Sequence, residues 1–170
     1  RALLAAAIPM VIDADGLRLI AAHPELLDAA RAGLVLTPHP GEMAALLRGV
    51  GLADAMPASR SEQAKALAAR CHAVVVLKGQ HSVVATPDGR EPTINLSGTA
   101  ALATAGTGDV LAGMIGAMIA QGMSMEDAAR CAAFVHGVCA ECWHDAQRAL
   151  IADDVVELIG SALRLVAPNA

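Results

Sequence analysis

Ala73-Val74-Val75-Val76-Leu77, followed at once by Lys78-Gly79, is an unbroken, largely β-branched run. A strand with one wet face alternates apolar and polar residues, whereas an unbroken run suits a strand covered on both faces, as at the centre of a parallel sheet. Upstream, residues 59–72 read as a polar-capped amphipathic helix with Ala64, Leu67, Ala68 and Cys71 on one face. Further upstream, Met10-Val11-Ile12-Asp13 and Leu34-Val35-Leu36 read as short buried strands, the second stopped by Thr37-Pro38-His39-Pro40. Helices are expected over 17–22, 24–32 and 41–47, with a loop or small excursion over 49–58. Downstream, 81–85 and 93–96 read as an antiparallel pair joined through Pro87-Asp88-Gly89. Helices over 108–121, 124–143 and 154–166 complete the chain. Strands alternating with helices, then a helical end, give a single three-layer α/β domain over residues 1–170 with a central, mostly parallel sheet and helices on both faces.

Composition narrows the function. The chain is 55% hydrophobic with one Phe and one Trp, so its core is built from Ala, Val, Leu, Ile and Met. A net charge of -5 without a basic cluster argues against nucleic acid as a partner. No apolar run reaches the roughly 18–20 residues that span a bilayer, and no secretory leader pattern is present. Four cysteines in a chain of this kind point to a reducing, cytoplasmic setting. Residues 2–7 read as the last turns of a helix, and the chain as beginning inside a larger domain.

Ala105-Gly106-Thr107-Gly108-Asp109 precedes the apolar run Val110-Leu111-Ala112-Gly113-Met114-Ile115. The glycines let a ligand approach the main chain closely. The unpaired N–H groups of a helix start, with the helix dipole behind them, form an anion hole from Gly106, Thr107 and Gly108. Asp109 is the one strong acid/base group beside it. That combination suggests chemistry on a hydroxyl next to a phosphate.

Other motifs leave alternatives open. Lys78-Gly79-Gln80-His81-Ser82 lies at the carboxyl end of the central strand, where open α/β sheets place ligands; it is either a phosphate-binding turn or an ordinary connection. Pro38-His39-Pro40-Gly41-Glu42 fixes His39 either for a substrate or as a helix cap. Asp13 and Asp15 could orient a substrate or a magnesium ion, or cap the next helix. His136, Cys139, Cys142 and His144 would fan apart on one helix at about 100° per residue, so no metal ligands are assigned.

In this order, Val11-Ile12-Asp13-Ala14-Asp15-Gly16-Leu17, Leu36-Thr37-Pro38-His39-Pro40-Gly41-Glu42, Val76-Leu77-Lys78-Gly79, Asn95-x-Ser97-Gly98, Ala103-Thr104-Ala105-Gly106-Thr107-Gly108-Asp109 and Ile151-Ala152-x-Asp154 resemble the NAD(P)H-hydrate dehydratase family of the ribokinase-like superfamily. The resemblance implies a ribokinase-like, carbohydrate-kinase-type domain whose N-terminal strands and glycine-rich loop precede the first strand seen here. It implies a lyase that restores NADH and NADPH from their 6-hydroxy hydrates (NADHX and NADPHX), with ADP, or ATP, as co-substrate and Mg2+ held mainly by phosphates and water. On the family pattern His39 and Asp109 belong to the hydrate site, with Asp109 catalytic. Lys78, Gly79, Gln80, His81, Ser82 and Gly108 belong to the adenine nucleotide. A homotetramer, and a bifunctional protein with an epimerase domain, are further implications. Two other functions fit the anion hole: a ribokinase-like kinase acting on a vitamin-precursor hydroxyl, and an inactive nucleotide-binding remnant.

Overall fold

The computed structural model describes residues 1–53, 59–144 and 148–167; residues 54–58 of the expected excursion lie outside the described residues. Five strands form one sheet in the order β1 (Met10–Ile12), β2 (Leu34–Leu36), β3 (Val74–Leu77), β4 (Val83–Ala85), β5 (Thr93–Ile94). β1, β2 and β3 run parallel, in the register Val11 to Val35 and Val35 to Val74. β4 and β5 return antiparallel, Val76 facing Val84 and Val84 facing Thr93. The sheet is therefore mixed: the expected parallel part holds for three strands, and two antiparallel pairings follow, β3 with β4 through residues 78–82 and β4 with β5 through the expected connection at 87–89.

β1 to β4 alternate their side chains between two cores. Leu34, Leu36, Val75, Leu77, Val83 and Ala85 pack with Leu17, Met43, Leu46, Leu47 and Leu67 on one face. Val35, Val74, Val76 and Val84 pack with Leu111, Ile115, Ala129, Ala132 and Val155 on the other. Both faces are covered, which is why β3 reads as an unbroken apolar run and buries all four residues.

The first face carries α1 (Asp15–Ala22), α2 (Pro40–Gly49) and α3 (Arg60–Cys71); the second carries α4 (Thr107–Ala120), α5 (Met125–Glu141) and α6 (Ala152–Val166). Capping fixes where several of these helices start. Ser59 Oγ accepts from the Glu62 N–H at 3.2 Å while Glu62 Oε2 accepts from the Ser59 N–H at 3.1 Å, a reciprocal cap at α3. α3 ends on His72 in the left-handed region. The segment expected as a helix over 24–32 is instead a 3-10 helix, Pro24–Ala29, because Ala30 turns into extended backbone. Residues 2–7 form turns rather than a helix, with the Ala5 N–H donating to the Arg1 carbonyl at 3.1 Å.

After α5 the Trp143 ring lies 4.7 Å beneath the Arg148 guanidinium. Arg148 grips Asp154 in the first turn of α6 with two bonds of 2.6 and 2.8 Å. Asp154 also accepts from the Ile151 N–H at 3.0 Å, and these bonds hold its carboxyl down at about 2. Among the described residues no helix is long and apolar enough to cross a membrane.

Candidate functional site

Because β1, β2 and β3 are parallel, their carboxyl ends meet at one edge of the sheet. Asp13 leaves β1, Thr37-Pro38-His39 leaves β2 and Lys78 leaves β3. The Lys78 N–H donates to the Pro38 carbonyl at 2.8 Å, tying two of these ends together. Lys78 Nζ donates to both oxygens of Asp13, at 2.7 and 2.9 Å. This ion pair is largely sheltered, with side chains 19% and 11% exposed. Asp13 thus neither caps α1, which has no side-chain cap, nor stands free for an ion; it holds the Lys78 ammonium. A Cβ on Gly108 would lie 3.3 Å from that ammonium, so the first turn of α4 abuts the ends of β1 and β3.

The glycine turn has the form an anion site requires. Gly106 precedes α4 at φ +87°, a conformation that glycine adopts without strain. The Asp109 and Val110 N–H groups both return to the Gly106 carbonyl, at 3.1 and 3.2 Å. Those of Thr107 and Gly108 have no partner among the described residues. Thr107 Oγ1 lies 2.8 Å from the Leu102 carbonyl and 2.9 Å from that of Thr104, so the hydroxyl serves the loop rather than the open space. The Asp109 carboxylate is solvent-exposed and has no hydrogen-bond or ion-pair partner among the described residues.

A cavity of about 800 Å³ opens between this turn and the 78–82 turn. Lys78, Gly79, Gln80, His81, Ser82, Thr107 and Gly108 all line it, so the structure brings together two segments that sequence reading joined only through the family pattern. Gly106 and Asp109 sit beside the cavity, outside its lining. His39 also lies outside it, on the same sheet edge. His39 Nδ1 accepts from the Gly41 and Glu42 N–H groups at 3.0 and 3.3 Å, while Glu42 Oε2 accepts from the His39 N–H at 2.8 Å. The helix-capping alternative therefore holds for this histidine, whose side chain stays half exposed.

Two parts of the site escaped functional reading. The first is the Asn95-x-Ser97-Gly98 loop, which walls the cavity and is fastened to α5. Asn95 Nδ2 donates to the Ala133 carbonyl at 3.0 Å, Ser97 Oγ lies 2.9 Å from that of Phe134, and the Gly98 N–H donates to Glu141 Oε1 at 2.7 Å. The second is His136, buried in α5 and lining the cavity. Its Nε2 sits 2.9 Å from the Thr107 carbonyl; a carbonyl only accepts, so Nε2 carries the proton. The other three members of the Cys/His set do not converge on it. Cys139 is buried, with burial pushing its thiol up to about 11. Cys142 is partly covered and His144 exposed.

Burial lowers the pKa of His136 against the smaller opposing effect of its bond to Thr107. The folded state therefore binds a proton less readily than the unfolded chain. Stability is full above the ordinary histidine value of 6.5 and declines as pH falls below it, because the unfolded state takes up the proton first. Replacing His136 with Gln, which keeps a donor for Thr107, flattens this part of the profile. Thermal midpoints measured on either side of pH 6.5 for both proteins check it; an unchanged slope would rule His136 out as its source.

Residues 1–160 match the family described as NAD(P)H-hydrate dehydratase. The chain is 48% identical over 130 residues to a bifunctional NAD(P)H-hydrate repair enzyme of Thermofilum pendens, covering 76% of this chain and 24% of that protein. It is 44% identical over 135 residues to an ADP-dependent (S)-NAD(P)H-hydrate dehydratase of Neisseria meningitidis, covering 78% and 45%. Among solved structures it resembles the ADP/ATP-dependent NAD(P)H-hydrate dehydratase of Bacillus subtilis co-crystallized with ATP/Mg2+ and soaked with CoA, with a TM-score of 0.80 and 34% identity, covering 96% of this chain and 58% of that one. The chain thus spans less than half the length of these two curated relatives.

Proposed function

The chain belongs to the NAD(P)H-hydrate dehydratase family, and from that premise we propose that its site dehydrates the 6-hydroxy hydrates of NADH and NADPH in a reaction driven by ADP or ATP. One observation carries the reading: two turns whose main-chain N–H groups have no partner among the described residues line one cavity, and beside one of them stands a carboxylate that likewise has none. Backbone amides at a helix start suit phosphate, and the cavity's volume is in the range of a nucleotide-sized pocket. The Neisseria and Bacillus relatives, whose names carry this activity, support the choice of substrates.

In the reaction we infer, hydroxide leaves carbon 6 of the hydrate poorly, so the hydroxyl is first made a better leaving group. Asp109 takes the hydroxyl proton as its oxygen forms a bond to the terminal phosphorus of the nucleotide. The bond from that phosphorus to the bridging oxygen breaks, releasing AMP from ADP or ADP from ATP. The Thr107 and Gly108 N–H groups stabilise the charge on the moving phosphoryl. The carbon–oxygen bond then breaks, the ring nitrogen supplying the electron pair, and inorganic phosphate departs. Loss of the neighbouring carbon-bound proton restores the reduced ring.

In this proposal a magnesium ion would be held by nucleotide phosphates and water, where it would neutralise phosphate charge; Asp13 is engaged by Lys78. A homotetramer in the cytoplasm belongs to the same proposal; the free thiols Cys71, Cys131, Cys139 and Cys142 support the reducing compartment, and the small exposed residues Gly113 and Ala117 of α4 leave room for close packing.

Calorimetric titration of the full-length protein with ADP and with ATP, in magnesium buffer, gives saturable binding. Incubation of hydrate with the bound nucleotide yields inorganic phosphate and the near-ultraviolet absorbance of the reduced nicotinamide. A folded protein that takes up neither nucleotide would remove the reading. Build-up of a phosphorylated alcohol without phosphate release would replace it with the kinase.

A further inference from the structure

The 78–82 turn is held from behind by a side chain that sequence reading placed only within a helix. Arg60, the first residue of α3, gathers four carbonyl oxygens, one at the end of β3 and three in this turn. Nη2 donates to those of Leu77 and Lys78 at 3.2 and 3.1 Å, and Nη1 donates to those of Gln80 and His81, the latter at 3.2 Å. Of the other two carbonyls in the turn, that of Gly79 accepts from Ser82 Oγ at 3.3 Å and that of Ser82 from the Asn95 N–H at 2.8 Å. A trans peptide points its N–H opposite to its C=O. Fixing the carbonyls of Lys78, Gln80 and His81 on Arg60 therefore aims the N–H groups of Gly79, His81 and Ser82 to the other side. Those N–H groups have no partner among the described residues, and all three residues line the cavity.

Gly79 adopts φ +137°, and a Cβ there would lie 3.0 Å from Arg60 Nη2, so guanidinium and turn are fitted to one another. Helix stability does not account for the arginine. A cation in the first turn opposes the helix dipole, and Ser59 and Glu62 already supply the cap. No carboxylate neutralises Arg60 within ion-pair distance among the described residues. Its positive charge is carried by carbonyl dipoles and faces the cavity through the turn.

We propose that Arg60 is a positioning residue for nucleotide phosphate: it orients the 78–82 turn so that its amides converge on the anion, and it adds positive potential behind them without touching the ligand. The inference rests on the nucleotide reading above. It predicts a selective effect. Arg60→Met keeps the apolar stem but removes every donor, and hydrogen bonds from a charged donor are among the stronger ones in proteins. The nucleotide Kd and KM rise roughly 10- to 100-fold. The hydrate KM, and kcat at saturating nucleotide, stay near wild type, the signature of lost binding that is equal in ground and transition states.

Arg60→Lys keeps the charge without the fork and gives a smaller rise in the same constant. Circular dichroism and thermal midpoints establish that each variant is folded. If Arg60→Met does not fold, the lysine variant carries the test alone. A folded variant whose nucleotide constants match wild type, or one in which hydrate and nucleotide constants worsen alike, would overturn the proposal. Wild-type protein that binds neither ADP nor ATP would remove the nucleotide reading itself, a separate failure visible in the control titration.

Discussion

Substituting Asn for Asp109 lowers turnover of the hydrate by roughly 10²–10⁴-fold, the range general-base catalysis contributes, and leaves nucleotide affinity close to wild type. The amide keeps the size of the side chain but cannot hold the hydroxyl proton. In the proposed site the nucleotide is met by the Thr107 and Gly108 N–H groups and the 78–82 turn, none of which the change touches. A purely structural role predicts otherwise. Asp109 lies in the first turn of α4 but makes no side-chain cap, so its structural contribution is the helix-dipole interaction, about 0.3–1 kcal/mol at an exposed position. On that view the variant would be slightly less stable and fully active. Single-turnover assays at saturating nucleotide separate the two; retention of most turnover would leave Asp109 without the proposed chemistry.

The second large effect lies across the cavity. Gly137 of α5 faces the Asn95-x-Ser97-Gly98 loop so closely that a Cβ would sit 2.1 Å from Ser97 Oγ and 2.6 Å from the Ser97 carbonyl carbon. A side-chain oxygen can rotate away, but a backbone atom moves only with its loop. Gly137→Ala therefore lifts the loop from α5, stretching its bonds to Ala133, Phe134 and Glu141. Forced overpacking of this kind costs about 1–3 kcal/mol, a fall of several degrees in melting temperature for a chain of this size. Because the loop is a wall of the cavity, nucleotide affinity falls with it. An alanine variant with wild-type melting temperature and affinity would show that the loop shifts freely and does not shape the site.

The layers of the fold were legible because apolar patterning and helix caps are local. The run 73–77 names its own environment, and Ser59 with Glu62 announces the start of α3. What stayed hidden was every relation that depends on long-range register. Arg60 and His81 are brought together only when β3 and β4 pair and α3 packs over them, and nothing in Ser59-Arg60-x-Glu62 distinguishes this arginine from a solvated one. His136 reads in the sequence only as one of four side chains fanned around a helix, and its bond to Thr107 requires α4 and α5 to be docked. The unbroken apolar strand proclaims burial on both faces, yet the turn signal at residues 87–89 speaks only for β4 with β5, and the antiparallel pairing of β4 with β3 is made through residues 78–82. Asp13 shows the limit most plainly: its partner Lys78 lies 65 residues away.

Trp143 has an optical consequence. The chain contains one tryptophan and no tyrosine, so its indole emission arises from a single point. That indole is stacked beneath Arg148, which is tied to Asp154 at the head of α6. Ala152 of the same helix turn lies against the glycine turn, 3.1 Å from where a Gly106 Cβ would stand. The protein thus carries a native fluorophore coupled to the neighbourhood of the anion hole, while the layer built from α1, α2 and α3 is spectroscopically silent. A change in emission reports on that corner alone and leaves the opposite face of the sheet in the dark.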